Sequence, residues 1–350
     1  MLDWTLVICT LDRFAVLRQA LRTAVSQSRL PKQIIIVDAS SNWAQCRDEV
    51  QREFGSLQPS IEWIYLASEQ RSLTHQRNVG LRSCTSEIVF LLDDDSFMFP
   101  DCAAEILAVY EQDVAHRIGG VSAMLSPENP LLQTNEAREL VSAGAVRSYS
   151  WFSDFIHSFW DQHKLFIPYD GHYHRYAGEL GLDPHVSTEL LFHGCRMTFR
   201  ASAVSEAGGC EEVLIRQCFA EDIDLSYRVS RRHAIVLNRK ALLFHALTAG
   251  ARAGKDTQAT LVILNAVVLY RLHASRKAGR NRVAYGFALR RLVVELLRDA
   301  IKPWRGFPNT RGVLRALGKM PAVLGRNDAE LRRDYPAIQR EIMGHRRQHA

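Results

Sequence analysis

The first hundred residues alternate short apolar runs with longer segments in which apolar residues recur at helical spacing. Strands are predicted at Thr5–Cys9, Gln33–Val37, Ile61–Leu66 and Ile88–Leu92, with helical segments between them. This alternation is typical of βαβ units on a parallel sheet. The pattern therefore predicts an α/β fold with a Rossmann-like, mostly parallel sheet flanked by helices.

The regular alternation stops after Ser126. The residues that follow are rich in aromatic side chains, among them Trp151 and Trp160. Aromatic faces pack well on sugar rings and on apolar ligands, so this segment predicts a lid or a binding wall. A small hydrophobic core is an equally good interpretation.

Regular elements return near Gly194. The pattern predicts a strand over Gly194–Arg200, a helix beginning near Glu221, and two short strands, Ala234–Leu237 and Ala241–Phe244. Helical segments follow, and one of them, Phe287–Ile301, carries an apolar stripe beside several arginines. Such a stripe usually packs on its own protein, but it also fits binding at a membrane interface.

Charge is divided unevenly along the chain. Residues 1–270 contain 25 Lys and Arg against 32 Asp and Glu, whereas residues 271–350 contain 19 against 6. A basic C-terminal region indicates an anionic partner, either a membrane surface or a nucleic acid. Seven cysteines without a CxxC pair favour reduced thiols, and neither a signal peptide nor a membrane-spanning run is predicted, so we expect a cytoplasmic protein.

Polar side chains follow several of the predicted strands. Thr10, Asp38, the run Asp93-Asp94-Asp95 and His245 all stand at such ends. In open α/β sheets the carboxyl ends of the strands face the ligand crevice. Three adjacent carboxylates repel one another unless a cation neutralises them, and Mg²⁺ binds carboxylates together with substrate phosphates. The run predicts a metal-diphosphate site; a solvated turn that caps the following helix is the alternative.

Acidic residues also begin the helix at Glu221, followed by Asp222 and Asp224, and Arg228 lies near its end. This order of charges matches the helix dipole, so the acids are explained equally well as stabilisers of the first turn. The pattern alone leaves a catalytic role for them open.

Several short elements between roughly residues 4 and 250 resemble, in order and spacing, the inverting GT-A glycosyltransferases of family 2. They are Val7–Arg13, Gln33–Ser41, Gln76–Gly80, Asp93–Asp95, Gly194–Gly209, Glu221-Asp222 and His245. The chain departs from the family pattern at Cys9, where proline is frequent, and at Ala39-Ser40, where an acidic residue and glycine are more usual. The aromatic segment is longer than the family norm.

The resemblance implies a GT-A fold and the metal-dependent transfer of a sugar from a nucleotide-diphosphate sugar, with a UDP-sugar favoured, to an acceptor hydroxyl. It implies Asp95, Asp93 and His245 as ligands of Mn²⁺ or Mg²⁺, and Thr10, Arg13, Asp38, Arg77, Asp93 and Asp94 as donor-binding residues. Asp222 becomes the general base and Glu221 orients the acceptor, with Asp224 as the competing base. Acceptor contacts are assigned to Trp151, Trp160, His193 and Gly194.

The same resemblance divides the chain into three parts. Residues 1–125 are expected to form the nucleotide-sugar-binding half of the GT-A domain, residues 126–255 its acceptor-binding and catalytic half, and residues 256–350 a basic helical C-terminal extension. A glycan or lipid-linked acceptor is expected, in glycan or surface-polysaccharide biosynthesis, with the basic helices at the inner face of a membrane. A nucleic-acid partner is not expected.

Two other functions fit parts of the sequence. A nucleotidyltransferase also uses acidic metal ligands on an α/β sheet, but it usually begins with a Gly-rich loop, and residues 8–18 contain no glycine. A non-enzymatic nucleotide-binding or nucleic-acid-binding protein explains the basic region but leaves Glu221 and Asp222 without a role.

Overall fold

The computed structural model describes residues 1–131, 180–189, 191–216, 218–246, 253–273 and 279–344. The chain divides into two compact units. Of the described residues, the sheet unit contains 1–131, 180–189, 191–210 and 225–246, and the helical unit contains 211–216, 218–224, 253–273 and 279–344. The aromatic segment with Trp151 and Trp160 lies outside the described residues.

One mixed sheet organises the sheet unit. Its strands are β1 (Trp4–Thr10), β2 (Gln33–Asp38), β3 (Glu62–Ala67), β4 (Ile88–Asp93), β5 (Ser96–Met98), β6 (Ile118–Leu125), β7 (Val186–Thr188), β8 (Met197–Arg200) and β9 (Ala234–His245). Their order is β3-β2-β1-β4-β8-β6-β9-β5, with β7 paired to β9. The first four strands in this order run parallel to one another, as do β6 and β9, whereas β8 is antiparallel to both neighbours. The predicted α/β class is confirmed.

Helices cover both faces of this sheet. They are α1 (Phe14–Ala24), α2 (Trp43–Val50), α3 (Leu73–Ser83), α4 (Cys102–Gln112), α5 (Ala201–Glu206) and α6 (Glu221–Ser230), which begins in the helical unit and continues in the sheet unit from Leu225. Successive strand residues point to opposite faces. Leu6 accordingly belongs to one buried cluster and Val7 to another. The central strands β1, β2 and β4 are largely apolar because both of their faces are buried.

Four helices build the helical unit. They are α7 (Lys255–His273), α8 (Arg280–Ala300), α9 (Pro308–Leu324) and α10 (Asp328–Gly344), with a 3₁₀ turn at Pro303–Arg305. Helix α7 packs on α9 and α10, and α8 packs on α9. Side chains such as Leu264, Val268, Val313, Met320 and Tyr335 are completely or almost completely buried there. The predicted helical C-terminal region is confirmed.

Two local predictions are wrong. The strands predicted at Ala234–Leu237 and Ala241–Phe244 are one strand, β9, whose pairing with β6 shifts between Asn238 and Leu242. The polar residues that suggested a break form a bulge instead, in which Asn238 Oδ1 accepts a hydrogen bond from Lys240 N at 3.0 Å. The strand predicted over Gly194–Arg200 begins with a 3₁₀ turn, Gly194–Arg196, and is extended only at Met197–Arg200.

All seven cysteines lie in the described parts of the chain and none forms a disulfide. Among the helices described, none combines the length and the hydrophobicity needed to cross a bilayer.

Helix α3 lies against β1 at Gly80. A Cβ atom at this position would lie 2.4 Å from Cγ1 of Val7, which is itself 1% exposed. This distance is far shorter than a van der Waals contact, and the neighbouring strand leaves Val7 little room to move. The close packing of α3 on the sheet therefore depends on glycine.

We expect Gly80→Ala to lower the free energy of unfolding by about 1–3 kcal/mol, because overpacking a rigid core forces side chains off their rotamers. Gly318→Ala is the matched control, since a Cβ there meets nothing within 4 Å in helix α9. That variant should be neutral or more stable by up to about 1 kcal/mol. Urea denaturation of both variants measures the difference, and equal stabilities would contradict the packing argument.

Candidate active site

The carboxyl ends of three parallel strands meet at one edge of the sheet. Strand pairing places Thr10 of β1 opposite Asp38 of β2, and Cys9 of β1 opposite Asp93 of β4. Thr10, Asp38 and Asp93 therefore lie side by side although they are far apart in the sequence. The prediction that polar residues at strand ends share one edge is confirmed for these three.

Asp93, Asp95 and His245 form a cluster with metal-ligand geometry. Each offers one ligand atom, and these atoms lie within 4.8 Å of one another. Strand β9 brings His245 into the cluster by antiparallel pairing with β5, where His245 lies opposite Ser96, and Ala246 N donates to the Asp95 carbonyl at 2.9 Å. Nε2 of His245 is 3.1 Å from Oδ1 of Asp95. The predicted ligands are thus brought together.

Asp94 points to a different set of partners. Its Oδ2 accepts a hydrogen bond from Thr10 Oγ1 at 2.8 Å, and its Oδ1 lies 3.0 Å from Nη1 of Arg13. The same guanidinium reaches Asp95 Oδ2 at 2.5 Å through Nη2. Arg13 therefore offsets part of the repulsion between the adjacent carboxylates, a pairing that the sequence did not reveal.

Burial and neighbouring charges shift the pKa values of Asp94, Asp95 and His245 in different directions. Burial raises the pKa of Asp94 to about 7, although Arg13 opposes the shift. Burial acts in the same direction on Asp95, but the hydrogen bond and charge of His245, together with Arg13, outweigh it and hold the pKa of Asp95 well below its ordinary value. For His245, burial opposes protonation, yet hydrogen bonds to Asp95 and Cys195 raise its pKa to about 11. These opposite shifts of the two pKa values favour a charged Asp95–His245 pair, and a cation that binds through the imidazole nitrogen would have to displace its proton.

Arg77 holds one member of the cluster in place. This side chain is buried, and Nη2 donates to Asp93 Oδ1 at 3.0 Å and to the Gly194 carbonyl at 3.4 Å. A guanidinium is always charged in proteins, so a carboxylate partner lowers the cost of burying it. Arg77 therefore orients Asp93, and its predicted contact with the donor diphosphate stays a prediction.

The neighbours of Arg77 on helix α3 also make structural contacts. Gln76 Nε2 donates to the carbonyls of Thr10 and Val37, at 3.0 and 2.8 Å, and so ties the ends of β1 and β2 together. Asn78 exchanges two hydrogen bonds of 2.8 Å with the backbone of Cys210. The motif Gln76–Gly80 thus fixes the strand ends that carry Thr10 and Asp38.

Asp38 is buried and its carboxylate already has two partners. The Tyr65 hydroxyl donates to Oδ2 at 2.6 Å, and the Ser40 N–H donates to Oδ1 at 2.7 Å. The hydroxyl of Ser40 in turn accepts from Asp12 N at 2.7 Å. Ser40, which departs from the family pattern, therefore links the loops after β1 and β2, and Asp38 is held in a fixed orientation.

The structure describes two of the four residues predicted to bind the acceptor, His193 and Gly194. His193 is exposed and Gly194 is partly buried, with its carbonyl facing Arg77. Both belong to the sheet unit. Trp151 and Trp160 lie outside the described residues.

The acidic residues of helix α6 differ in exposure. Ala220, directly before the helix, has a φ of +72°, a left-handed conformation that is strained for alanine. Glu221 is buried and its Oε2 accepts a hydrogen bond from Asp222 N at 2.7 Å. Asp222 is partly exposed, whereas Asp224 is 0% exposed. The first turn therefore presents Asp222 to solvent and encloses Asp224.

A charged network within the helical unit supports this turn. His273, at the end of α7, has Nε2 3.0 Å from Glu211 Oε2 and 3.8 Å from Asp224 Oδ1. Arg332 of α10 also pairs with Glu211. Helices α7 and α10 are thus connected through Glu211 and His273 to the turn that contains Asp222.

Glu211 is expected to make this unit sensitive to acid. Burial opposes its ionisation, but hydrogen bonds to His273 and Arg332 outweigh this effect and lower its pKa from 4.5 to about 2. A depressed pKa gives stability that is complete above about pH 4.5 and is lost as the pH falls to about 2.

We expect Glu211→Gln to cost about 1–3 kcal/mol at pH 7, and the difference from wild type to shrink as the pH falls towards 3. The control is Glu341→Gln, because that side chain is 54% exposed and should contribute little. Thermal unfolding of the three proteins across this pH range measures the effect. A difference that stays constant with pH would contradict it.

Sequence reasoning missed several residues that shape the site. Tyr65 lies two residues before the end of β3, close to the same edge of the sheet, so the alignment of strand ends was a usable signal. Gln76 lies beside Arg77 on a buried helix face, although a lone glutamine gives no warning of a double backbone contact. His273 carried no local signal, because its partners are 62 and 49 positions away in the chain.

The sheet order, with the acidic cluster at the strand ends and the histidine on the last long strand, matches the GT-A fold. Mannosyltransferase PcManGT from Pyrobaculum calidifontis, in complex with GDP-Man and Mn²⁺, has a TM-score of 0.51 and 14% identity, over 91% of this chain and 88% of that chain. TarS residues 1–349 from S. aureus, in complex with UDP-GlcNAc, has a TM-score of 0.54 and 14% identity, over 97% and 89%. At 14% identity these similarities show a shared fold and do not by themselves show a shared activity.

The sequence match points to one family. Residues 5–167 match the family described as Glycosyl transferase family 2. This match covers less than half of the chain, and it favours a glycosyltransferase over a nucleotidyltransferase or a non-enzymatic binding protein. The glucosyl-dolichyl phosphate glucuronosyltransferase of Haloferax volcanii is 25% identical over 119 residues, which are 33% of this chain and 37% of that enzyme.

Proposed function

We propose that the protein is a metal-dependent, inverting glycosyltransferase that moves a sugar from a nucleotide-diphosphate sugar, with a UDP-sugar preferred, to an acceptor hydroxyl. The observation that carries the proposal is the grouping of Asp93, Asp95 and His245 ligand atoms within 4.8 Å of one another at the carboxyl edge of the sheet. The nucleotide sugars bound by the mannosyltransferase and by TarS support a donor of this class.

The donor atoms of the cluster suit Mn²⁺ or Mg²⁺. Two carboxylates and one imidazole provide the hard oxygen and borderline nitrogen ligands that these ions accept. A divalent cation held there would act as a Lewis acid for the departing diphosphate. Arg77 orients Asp93, and Arg13 orients Asp95, so the ligands are positioned before the donor binds.

The strand ends beside the cluster are proposed to hold the nucleotide. Asp38 would accept an N–H of the base, because its two hydrogen bonds leave further lone pairs free, and Thr10 would line the same pocket. Arg77 and Arg13 would meet the diphosphate charge. Asp94 belongs to the same donor side through its bonds to Thr10 and Arg13.

Asp222 is the proposed general base. Its partial exposure leaves it accessible to an acceptor, whereas Asp224 is enclosed beside His273. The acceptor hydroxyl would give its proton to Asp222 while its oxygen bonds to the anomeric carbon. The bond from that carbon to the diphosphate oxygen breaks, and the nucleoside diphosphate leaves with the electron pair. Glu221 would orient the acceptor, and a single displacement inverts the anomeric configuration.

The acceptor is proposed to be a glycan or a lipid-linked glycan at the inner face of a membrane, in surface-polysaccharide assembly. The dolichyl phosphate in the name of the Haloferax relative is consistent with a lipid-linked substrate. Residues 1–125 would bind the donor, residues 126–255 the acceptor through Trp151, Trp160, His193 and Gly194, and residues 256–350 would form the basic extension.

Incubation with a panel of nucleotide sugars and Mn²⁺ tests the proposal. We expect slow hydrolysis of one donor, seen as released nucleoside diphosphate, that stops when EDTA removes the metal. NMR of the sugar at early times should show the anomer opposite to that of the donor. Release that is indifferent to EDTA, or that retains the configuration, would contradict the proposal.

A further inference from the structure

One face of helix α8 is apolar and exposed. Leu289, Val293, Leu296, Leu297 and Ile301 are each between 46% and 65% exposed. Their spacing of three or four residues puts them on the same side of the helix. Two further apolar side chains of the helical unit are exposed: Trp304, in the turn that follows, is 75% exposed, and Leu314, in helix α9, is 51% exposed. We call these seven residues the apolar stripe.

The opposite face of α8 provides the packing of the helical unit. Ala284, Phe287, Ala288 and Val294 are buried there. An ion pair between Arg291 Nη2 and Glu295 Oε1, at 2.7 Å, lies on the same inner side, where Glu295 is 3% exposed. The helix thus encloses a charged pair while its leucines face outward. The apolar stripe is not needed for the packing that the unit shows.

The same segment of the chain carries five exposed cations among the side chains that the structure describes. They are Arg282, Arg290, Lys302, Arg305 and Arg311. Between residues 280 and 315 the acidic residues are Glu295 and Asp299, and both are buried. Asp299 is also engaged as an acceptor for Thr310 N and Thr310 Oγ1, at 2.8 and 2.9 Å. Within residues 280–315 the exposed charged side chains are therefore all cationic.

This combination favours an anionic lipid surface over a second copy of the chain. In a two-fold dimer the same patch faces itself, so five cations would be brought close to five others without a counter-charge. A bilayer with anionic headgroups can interact with both parts of this surface. Its acyl chains can contact the apolar side chains, and its phosphates can bind the cations. An exposed tryptophan at the end of such a helix matches the preference of that side chain for the membrane interface.

We propose that the apolar stripe, together with the exposed cations of the same segment, is an interfacial binding surface for a membrane that contains anionic lipid. The helix lies in the plane of the headgroups and does not cross the bilayer. The proposal goes beyond sugar transfer, and its test needs no donor or acceptor, so its failure is distinguishable from failure of the proposed function.

Flotation of the full chain with vesicles of phosphatidylcholine, with and without phosphatidylglycerol, tests the surface. The wild-type protein should float with the anionic vesicles and be released by high salt. The double variant Val293→Glu with Leu297→Glu should bind at least about tenfold more weakly, because it places two carboxylates in the interface. Leu57→Glu is the matched control: Leu57 is 73% exposed in the sheet unit, and its replacement should not change binding.

A second pair of variants separates charge from apolar contact. Lys302→Glu with Arg305→Glu should remove the preference for anionic vesicles while leaving thermal unfolding unchanged. The proposal is overturned if the wild-type protein does not float, or if the Val293 and Leu297 double variant floats as well as wild type. It is also overturned if that variant dissociates a lipid-free dimer without altering flotation, because a second copy then covers the stripe.

Discussion

Replacing Asp222 by Asn is expected to abolish sugar transfer while leaving nucleotide binding intact. Asparagine keeps the shape and the hydrogen-bonding capacity of the first helical turn, but it cannot take a proton from the acceptor hydroxyl. Loss of a general base lowers the rate by about 10²–10⁴-fold. Turnover measured with a saturating donor, together with calorimetric titration of the nucleoside diphosphate, separates the chemical step from binding.

Asp224→Asn is the informative comparison for this variant. Asp224 is enclosed and lies 3.8 Å from His273, so its replacement should disturb the stability of the helical unit more than the reaction. We expect the Asp224 variant to unfold at a lower temperature and to retain most of its turnover below that temperature. A fully active Asp222→Asn enzyme beside an inactive but folded Asp224→Asn enzyme would transfer the base assignment to Asp224.

Replacing Asp95 by Ala is expected to remove Mn²⁺-dependent nucleotide binding. In the proposed site Asp95 provides one of three ligand atoms and also hydrogen-bonds His245, so its loss would remove one ligand and loosen a second. The affinity for the nucleoside diphosphate in the presence of Mn²⁺ should fall at least about 100-fold, to the level seen with EDTA. Calorimetric titration with and without the metal measures the change.

The control for Asp95 is Asp101→Ala, which removes an exposed carboxylate six positions further along the chain. That variant should keep the affinity of the wild-type protein. Asp95→Asn should also be measured, since it keeps the shape of the side chain and one oxygen that can still accept a hydrogen bond from Arg13, and so guards against simple unfolding. Unchanged Mn²⁺-dependent affinity in a folded Asp95→Ala protein would exclude Asp95 as a ligand.

The parallel part of the sheet was predictable because burial on both faces leaves a continuous apolar run. Ile88–Leu92 and Gln33–Val37 each fall within one residue of the observed strands. The same reasoning misplaced the break in β9, because a bulge and a turn both place polar residues between apolar ones. The pairing of Leu242 and Leu243 with β6 shows that the polar residues form a bulge within one strand and not a turn between two strands.

The candidate site was predictable at its strand ends and less so elsewhere. Asp93 and Asp95 follow directly from the pattern, since strand and acids are contiguous. His245 and Asp95 are 150 residues apart in the sequence, and the pairing of β5 with β9 brings them together. Local periodicity does not predict which strands pair. Its metal-ligand role came from the family resemblance. Arg13 and Arg77 were expected to face the donor, and their carboxylate partners became visible only in the folded chain.

We propose above all that Asp93, Asp95 and His245 bind a divalent cation, and that this cation binds the diphosphate of the donor. Diffraction data collected at the manganese absorption edge, from crystals grown with UDP and Mn²⁺, test this claim most directly. We predict an anomalous peak within bonding distance of the Asp95 carboxylate, the His245 imidazole and a diphosphate oxygen. A bound nucleotide whose manganese lies away from both Asp95 and His245 would contradict the account.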